Sequence, residues 1–214
     1  MTIQEMRKTY AKAGLAEKDI ETDPMVQFQN WFDQAQQPDL PDWMEVNAMT
    51  LSTQDGNGSV SSRVVLLKGI EDGQLFFYTN YDSTKASQIA ASANVALCFF
   101  WPHLERQVRI GGTVKKTDRQ RSETYFASRP KASQLGAHVS KQSSVVAGRE
   151  VLMDRMQQLQ EQYADQEVPC PKNWGGYAVT PTRFEFWQGR PSRLHDRLCY
   201  LQHESQWQVV RLSP

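Results

Sequence analysis

The chain is poor in cysteine, has no excess of charge of either sign and contains no long apolar run. Its three cysteines in 214 residues, Cys98, Cys170 and Cys199, are odd in number, widely spaced and not at metal-ligand spacing. They argue against a disulfide framework or a readable zinc or iron–sulfur site, and for free thiols in a reducing compartment. Lys and Arg number 24, as do Asp and Glu, so the formal net charge is zero and nothing overall favours nucleic acid or a membrane surface as partner. The longest apolar run, Val95 to Trp101, is far too short to cross a bilayer, and the segment Met1-Thr-Ile-Gln-Glu-Met-Arg7 lacks the apolar core of a signal peptide. A soluble, cytoplasmic protein without metal is expected. Catalytic signatures are missing as well: there is no H-E-x-x-H, no nucleophile–base pair, and Gly111-Gly112 is not a dinucleotide fingerprint. With no internal repeat and no low-complexity tract, the length suits one domain over residues 1–214.

What is present changes period along the chain. Residues 2–13 suggest a short helix stopped at Gly14, carrying Arg7 and Tyr10 three apart on one face, and the polarity of residues 1–22 suggests a mobile arm. Asp23-Pro24 is an N-cap followed by a first-turn proline, and Met25, Phe28, Trp31, Phe32 and Ala35 follow at helical spacing. Short β-like runs occupy Ala48 to Lys116: a hairpin around Asp55-Gly56-Asn57-Gly58, a strand from Gln74 to Thr79, a helix after Ser83, and strands Val95–Trp101 and Arg106–Lys116. Thr117-Asp118 caps a helix to Ser128, Pro130 opens another, and Gly148 to Gln166 is amphipathic, with Val151, Leu152, Met156, Leu159 and Tyr163 as a core-facing stripe. Strand pattern returns over Tyr177–Thr180, Arg183–Gln188, Leu194–Gln202 and Trp207–Leu212. The class expected is mainly β with α, an antiparallel sheet closing into a barrel flanked by helices.

Four places offer anion binding. Ser83-Thr84-Lys85 begins a helix, where free N–H groups and the dipole favour phosphate. Arg63 and Lys68 are an odd number of residues apart, so on a straight strand they would face opposite ways and could share a site only if the strand bends. Tyr125, Arg129 and Ser133 combine two hydroxyls and a guanidinium into a plausible phosphate cradle. Arg193, His195 and Arg197 alternate with Leu194 and Asp196, and on an extended strand they would form one wall suited to an anionic planar ligand. A solvated basic strand face fits that row equally well. Together these features suit a reaction whose hard step is done by a bound cofactor.

Arg63-Val-Val-Leu-Leu-Lys68, Phe77-Tyr78-Thr79-Asn80, Leu104-Glu-Arg-Gln107, Tyr125-Phe-Ala-Ser-Arg129-Pro130, Ser140-Lys-Gln142-Ser143-Ser144, Pro171-Lys-Asn-Trp-Gly-Gly176 and Glu185-Phe-Trp187-Gln-Gly with Arg193-Leu-His195-Asp-Arg197 resemble the pyridoxine/pyridoxamine 5′-phosphate oxidase family, in that family's order and over nearly the whole chain. The resemblance implies an FMN-binding split β-barrel with Greek-key-like connections, working as a homodimer with its flavin sites between subunits. It implies oxidation of pyridoxine or pyridoxamine 5′-phosphate to pyridoxal 5′-phosphate, with O₂ reduced to peroxide. Matched by motif, Arg63, Lys68, Tyr78, Thr79, Thr84, Lys85, Gln107, Gln142, Ser143, Trp187 and Arg197 would hold FMN. Lys68, Tyr125, Arg129 and Ser133 would hold the substrate phosphate, Arg193 and His195 would cover its ring as the catalytic pair, and Arg7 and Tyr10 would close over it. Where the family usually reads Ser-Arg-Lys-Ala, this chain reads Ser83-Thr84-Lys85-Ala86 and lacks one cation. Two other readings are a non-catalytic flavin or pyridoxal-phosphate binding protein on the same barrel and a flavin reductase; the complete substrate set favours the oxidase over both.

Overall fold

Turn chemistry lays out the sheet. In the computed structural model, which describes residues 1–204 and 206–214, β1 (Ala48–Gln54) and β2 (Val60–Leu66) pair antiparallel from Ala48↔Leu66 to Gln54↔Val60. The Asp55 carboxylate accepts from the N–H groups of Asn57 and Ser59, both at 2.9 Å, and Gly58 supplies the positive φ, +85°, that the turn requires. A second tight turn at Asp72-Gly73 joins β3 (Gly69–Glu71) to β4 (Gln74–Asn80). β5 (Asn94–Trp101), β6 (Arg106–Lys116), β7 (Trp174–Gln188), β8 (Asp196–His203) and β9 (Gln206–Arg211) complete one antiparallel sheet of nine strands in the order β2-β1-β5-β6-β7-β4-β3, with β8 on β7 and β9 on β8.

β7 is the strand on which the barrel splits. One edge runs along β6; the other pairs with β4 over Trp174 to Val179 and with β8 over Arg183 to Gln188. The sequence pattern suggested two strands here because Pro181 interrupts it. In the structure one strand continues through a register shift between Gly111 and Gly112 of β6. A Cβ on Gly112 would lie 2.3 Å from the Thr180 carbonyl oxygen, so only glycine permits this approach. The inner faces alternate as expected: Val95, Leu97, Phe99 and Trp101 on β5 and Phe184 and Phe186 on β7 are buried.

α1 (Pro24–Ala35) plugs the barrel. Asp23 accepts from Met25 N at 2.8 Å, Pro24 occupies the first turn, and Phe28 and Trp31 enter the core against Phe99, Trp101 and Phe186. α2 (Thr84–Ala91) follows β4, and α3 (Arg119–Ala127), capped by Asp118, leads through Pro130 into α4 (Lys131–Val139). α5 (Arg149–Gln162) packs with them over a smaller core of Phe126, Leu135, Leu159, Val168 and Trp174. The fold class is therefore the expected one, an antiparallel split barrel flanked by helices. No described helix is long and apolar enough to cross a membrane.

Three local expectations are corrected. The helix over residues 2–13 does not form: only Ile3–Glu5 makes a 3-10 turn, and the following N–H groups bond to distant side chains. The stripe on α5 is narrower than its spacing suggests, because the helix meets the smaller core at one place: Leu159 is buried whereas Val151 is 47 % exposed. The last strand of the basic row begins only at Asp196. Arg193 closes a 3-10 turn, Pro191–Arg193, in which Ser192 and Arg193 both have left-handed backbones (φ 56° and 62°), so Arg193, His195 and Arg197 are not one strand face.

Candidate functional site

Nine of the residues singled out from the sequence line one cavity of about 750 Å³ between β2, β4 and helices α2, α3 and α4: Arg63, Lys68, Tyr78, Thr79, Lys85, Tyr125, Arg129, Ser133 and Gln142. The parity problem of Arg63 and Lys68 is resolved by where β2 stops. The strand ends at Leu66, and Lys68 lies past it, its N–H donated to the Phe76 carbonyl, so both side chains reach the same space. Arg63 is fixed by donations to the Leu51 carbonyl (3.1 Å), Thr53 Oγ1 (2.6 Å) and Ser61 Oγ (2.5 Å). Lys85, 9 % exposed, donates to Thr79 Oγ1 (3.0 Å), Gln142 Oε1 (2.9 Å) and Ser83 Oγ (3.3 Å).

No described residue lining this cavity carries a carboxylate. Burial, helped by the nearby charge of Arg63, lowers the Lys85 pKa to about 8, and burial likewise lowers those of Arg63 and Arg129. Lys85 is buried, Arg63 and Arg129 are partly so, and none has a carboxylate partner among the described residues, an arrangement that favours binding of an anion. The guanidinium of Arg129 stands 4.7 Å from the Trp174 ring, and its Nη1 is buried with no partner among the described residues. Tyr125, whose hydroxyl pKa is raised by burial, is stacked on Tyr78 at 3.9 Å, and both rings lie nearly parallel to Trp174. Trp174 thus braces both the guanidinium and the phenol. It stands in the motif Pro171-Lys-Asn-Trp-Gly-Gly176, but its role is not legible there because its partners are distant in sequence. At the start of α2, Ser143 Oγ accepts from Thr84 N at 3.2 Å, with Ser143 at φ 73° and Thr84 exposed.

The remaining residues gather elsewhere in the chain. Gln107, Trp187 and Arg197 sit side by side across β6, β7 and β8, in the registers Gln107↔Trp187 and Trp187↔Arg197. Arg197 is held by Glu185 Oε1 at 2.8 and 3.0 Å and by the Ser213 carbonyl at 2.7 Å. Arg7, Tyr10, Arg193 and His195 line a second cavity of about 420 Å³, where Tyr10 meets Trp187 (5.6 Å) and His195 (5.8 Å) edge-on. His195 Nδ1 accepts the Arg190 N–H at 3.0 Å, so in the neutral ring the proton is on Nε2. Glu185, which stands in a motif shared with the family but has no role legible from the sequence, is buried beneath Arg109, Arg183 and Arg197.

The split barrel thus carries a cationic cavity with no carboxylate among its described lining residues and, apart from it, an aromatic and basic cluster towards its C-terminal strands. Residues 32–163 match the family model described as pyridoxamine 5′-phosphate oxidase, and residues 174–214 match that of the pyridoxine 5′-phosphate oxidase C-terminal dimerisation region. The chain belongs to the pyridoxine/pyridoxamine 5′-phosphate oxidase family. It is 57 % identical over 216 residues to the protein of that name from Rhodopirellula baltica, covering 99 % of this chain and 96 % of the relative. It is 49 % identical to the one from Cupriavidus taiwanensis, covering 99 % of each. Among solved structures it is similar to PhzG from Burkholderia lata, solved with tetrahydrophenazine-1-carboxylic acid, at TM-score 0.86 and 25 % identity over 94 % of this chain and 98 % of that one.

Proposed function

We propose that this chain is an FMN-dependent oxidase that converts pyridoxine 5′-phosphate or pyridoxamine 5′-phosphate to pyridoxal 5′-phosphate, as a homodimer in the cytoplasm. Each site would join the large cavity of one subunit to the Gln107, Trp187, Arg193, His195 and Arg197 cluster of the other. The observation that carries this reading is the charge of the cavity. Arg63, Lys68, Lys85 and Arg129 bring four cations and no described carboxylate into one space, which suits two phosphates of about −2 each, one from the cofactor and one from the substrate.

The residues fit FMN: Lys85, Arg63, Thr79, Gln142, Ser143 and the first N–H groups of α2 would hold its phosphate end, and Gln107, Trp187 and Arg197 would border it from the other subunit. When bound, FMN supplies the two-electron acceptor that takes hydride from the 4′ carbon and passes the electrons to O₂, giving H₂O₂, with ammonia released from the amine substrate after addition of water. The chain's own contribution is position. Arg129, with its unpartnered buried Nη1, and Lys68, Tyr125 and Ser133 tether the substrate phosphate, each charge-assisted contact contributing about 1.5–3 kcal/mol. Arg193 and the Nε2–H of His195 lie over the ring, restrict its orientation and exclude water.

Oxygen uptake tests the reading. The FMN-loaded protein should consume O₂ with pyridoxine 5′-phosphate and far less with unphosphorylated pyridoxine at the same low concentration. Equal turnover of the two would overturn it.

A further inference from the structure

Glu105 is a buried carboxylate to which the proposed binding roles assign nothing. It occupies the turn between β5 and β6 with a left-handed backbone (φ 57°) and is 3 % exposed. One carboxylate oxygen accepts two consecutive N–H groups of the N-terminal segment, Ala11 at 2.8 Å and Lys12 at 3.0 Å, and the other lies 3.8 Å from Lys8 Nζ. Its backbone carbonyl accepts Gly189 N (2.8 Å) and Gln188 Nε2 (3.2 Å) at the end of β7. One residue therefore grips the arm with its side chain and the end of β7 with its main chain. Tyr10, next to the gripped amides, packs on Gly189 so closely that a Cβ there would lie 2.7 Å from Tyr10 Cβ. Burial by itself would raise the pKa of this carboxyl, yet the two amides and the neighbouring Lys8 and Lys12 outweigh it and hold the pKa below the ordinary carboxylate range.

We propose that Glu105 is a positioning residue: it latches the arm at Ala11 and Lys12 and so fixes the Tyr10 ring edge-on to Trp187 and His195. Two amides aimed at one carboxylate oxygen make a directional clamp, stronger than hydrogen bonds between neutral groups. Among the described residues, the other polar contacts near Ala11 and Lys12 are the Lys12 side chain, donated to the His103 carbonyl, and those at Arg190 and Asp196 further along the chain. The kinetic part of this inference rests on the proposed reading of Tyr10 and His195 as the substrate cover; the structural part does not.

The test is amide hydrogen exchange on the FMN-incubated full chain, wild type against Glu105→Ala and the milder Glu105→Gln, with oxidase kinetics alongside. Exchange at Ala11 and Lys12 should speed up by about tenfold or more in Glu105→Ala and by less in Glu105→Gln, while Val108 on β6 and Phe186 on β7 keep wild-type protection. KM for pyridoxine 5′-phosphate should rise in the same order, with a smaller change in kcat. Wild-type exchange at Ala11 and Lys12 in both variants would overturn the latch, as would equal loss of protection throughout β6 and β7 in Glu105→Gln. Freed amides with an unchanged KM would overturn the placement of Tyr10. If the wild type itself fails to oxidise the substrate, the proposed function falls while the exchange data still decide the latch.

Discussion

Arg129 and Lys85 carry the electrostatic case, and each can be tested alone. Arg129 is braced by Trp174 and leaves one buried nitrogen without a partner among the described residues, so on the proposed reading Arg129→Ala removes a contact to the substrate phosphate. KM for pyridoxine 5′-phosphate should rise roughly ten- to a hundredfold, the kinetic equivalent of about 1.5–3 kcal/mol, with little change for unphosphorylated pyridoxine. A similar rise for both substrates would assign Arg129 a merely structural role. Lys85 has a pKa of about 8 in the folded chain against 10.5 for the free side chain. Between those values the unfolded chain binds more protons, so this group's contribution to the stability of the ligand-free protein rises with pH across the window, and its penalty is complete below it. A bound phosphate favours the charged ammonium and raises that pKa, so FMN binding should take up a proton, and affinity should fall as pH rises through the window. Calorimetry at about pH 8.5 in two buffers of different ionisation enthalpy should show this uptake in the wild type and not in Lys85→Met. Identical apparent enthalpies in the two buffers for the wild type would contradict it.

At the scale of elements, the meeting of β6 with β7 sets the split of the barrel, and the two adjacent glycines there separate backbone need from coincidence. Gly112→Ala would drive a methyl into the Thr180 carbonyl, whereas at Gly111 the nearest atom to an added Cβ is Arg183 Cβ at an ordinary 3.8 Å. Gly112→Ala should therefore cost about 1–3 kcal/mol, a fall in Tm of roughly 2–10 °C by calorimetry, and Gly111→Ala much less. Equal melting of the two would refute the close-approach argument. Elements with local signals were legible from the sequence: Asp23-Pro24 starts α1, Asp55-Gly-Asn-Gly58 makes the first hairpin, and Tyr125, Arg129 and Ser133 come together because helical spacing and a proline turn put them there. Elements decided by distant partners were not. Pro181 hid the continuity of β7, the alternation around Arg193 suggested a strand where two left-handed residues make a turn, and the N-terminal segment gave up a helix for the carboxylates of Glu105 and Asp196. Trp174, Glu185 and Glu105 escaped detection for the same reason, since residues that act by bracing others leave no periodic mark.

At the scale of the whole molecule, the chain keeps its cationic cavity and its aromatic, basic cluster in separate places, lined by different residues, and the family region matched by residues 174–214 is one of dimerisation. The central claim is that two copies complete each other's sites. Arg129 and Arg193 then belong to the same site but to different subunits, and their defects can be put in trans. Arg129→Ala and Arg193→Ala homodimers should each lose most activity at low substrate, Arg193→Ala through kcat/KM by about ten- to a thousandfold. A heterodimer of the two variants, isolated with two different affinity tags, has one site carrying both substitutions and one site carrying neither. Its turnover at low pyridoxine 5′-phosphate should recover to roughly half the wild-type rate per dimer, as expected for one intact site of two. A heterodimer no more active than its two parents would contradict the account, because every site would then be built within a single chain and carry one of the defects.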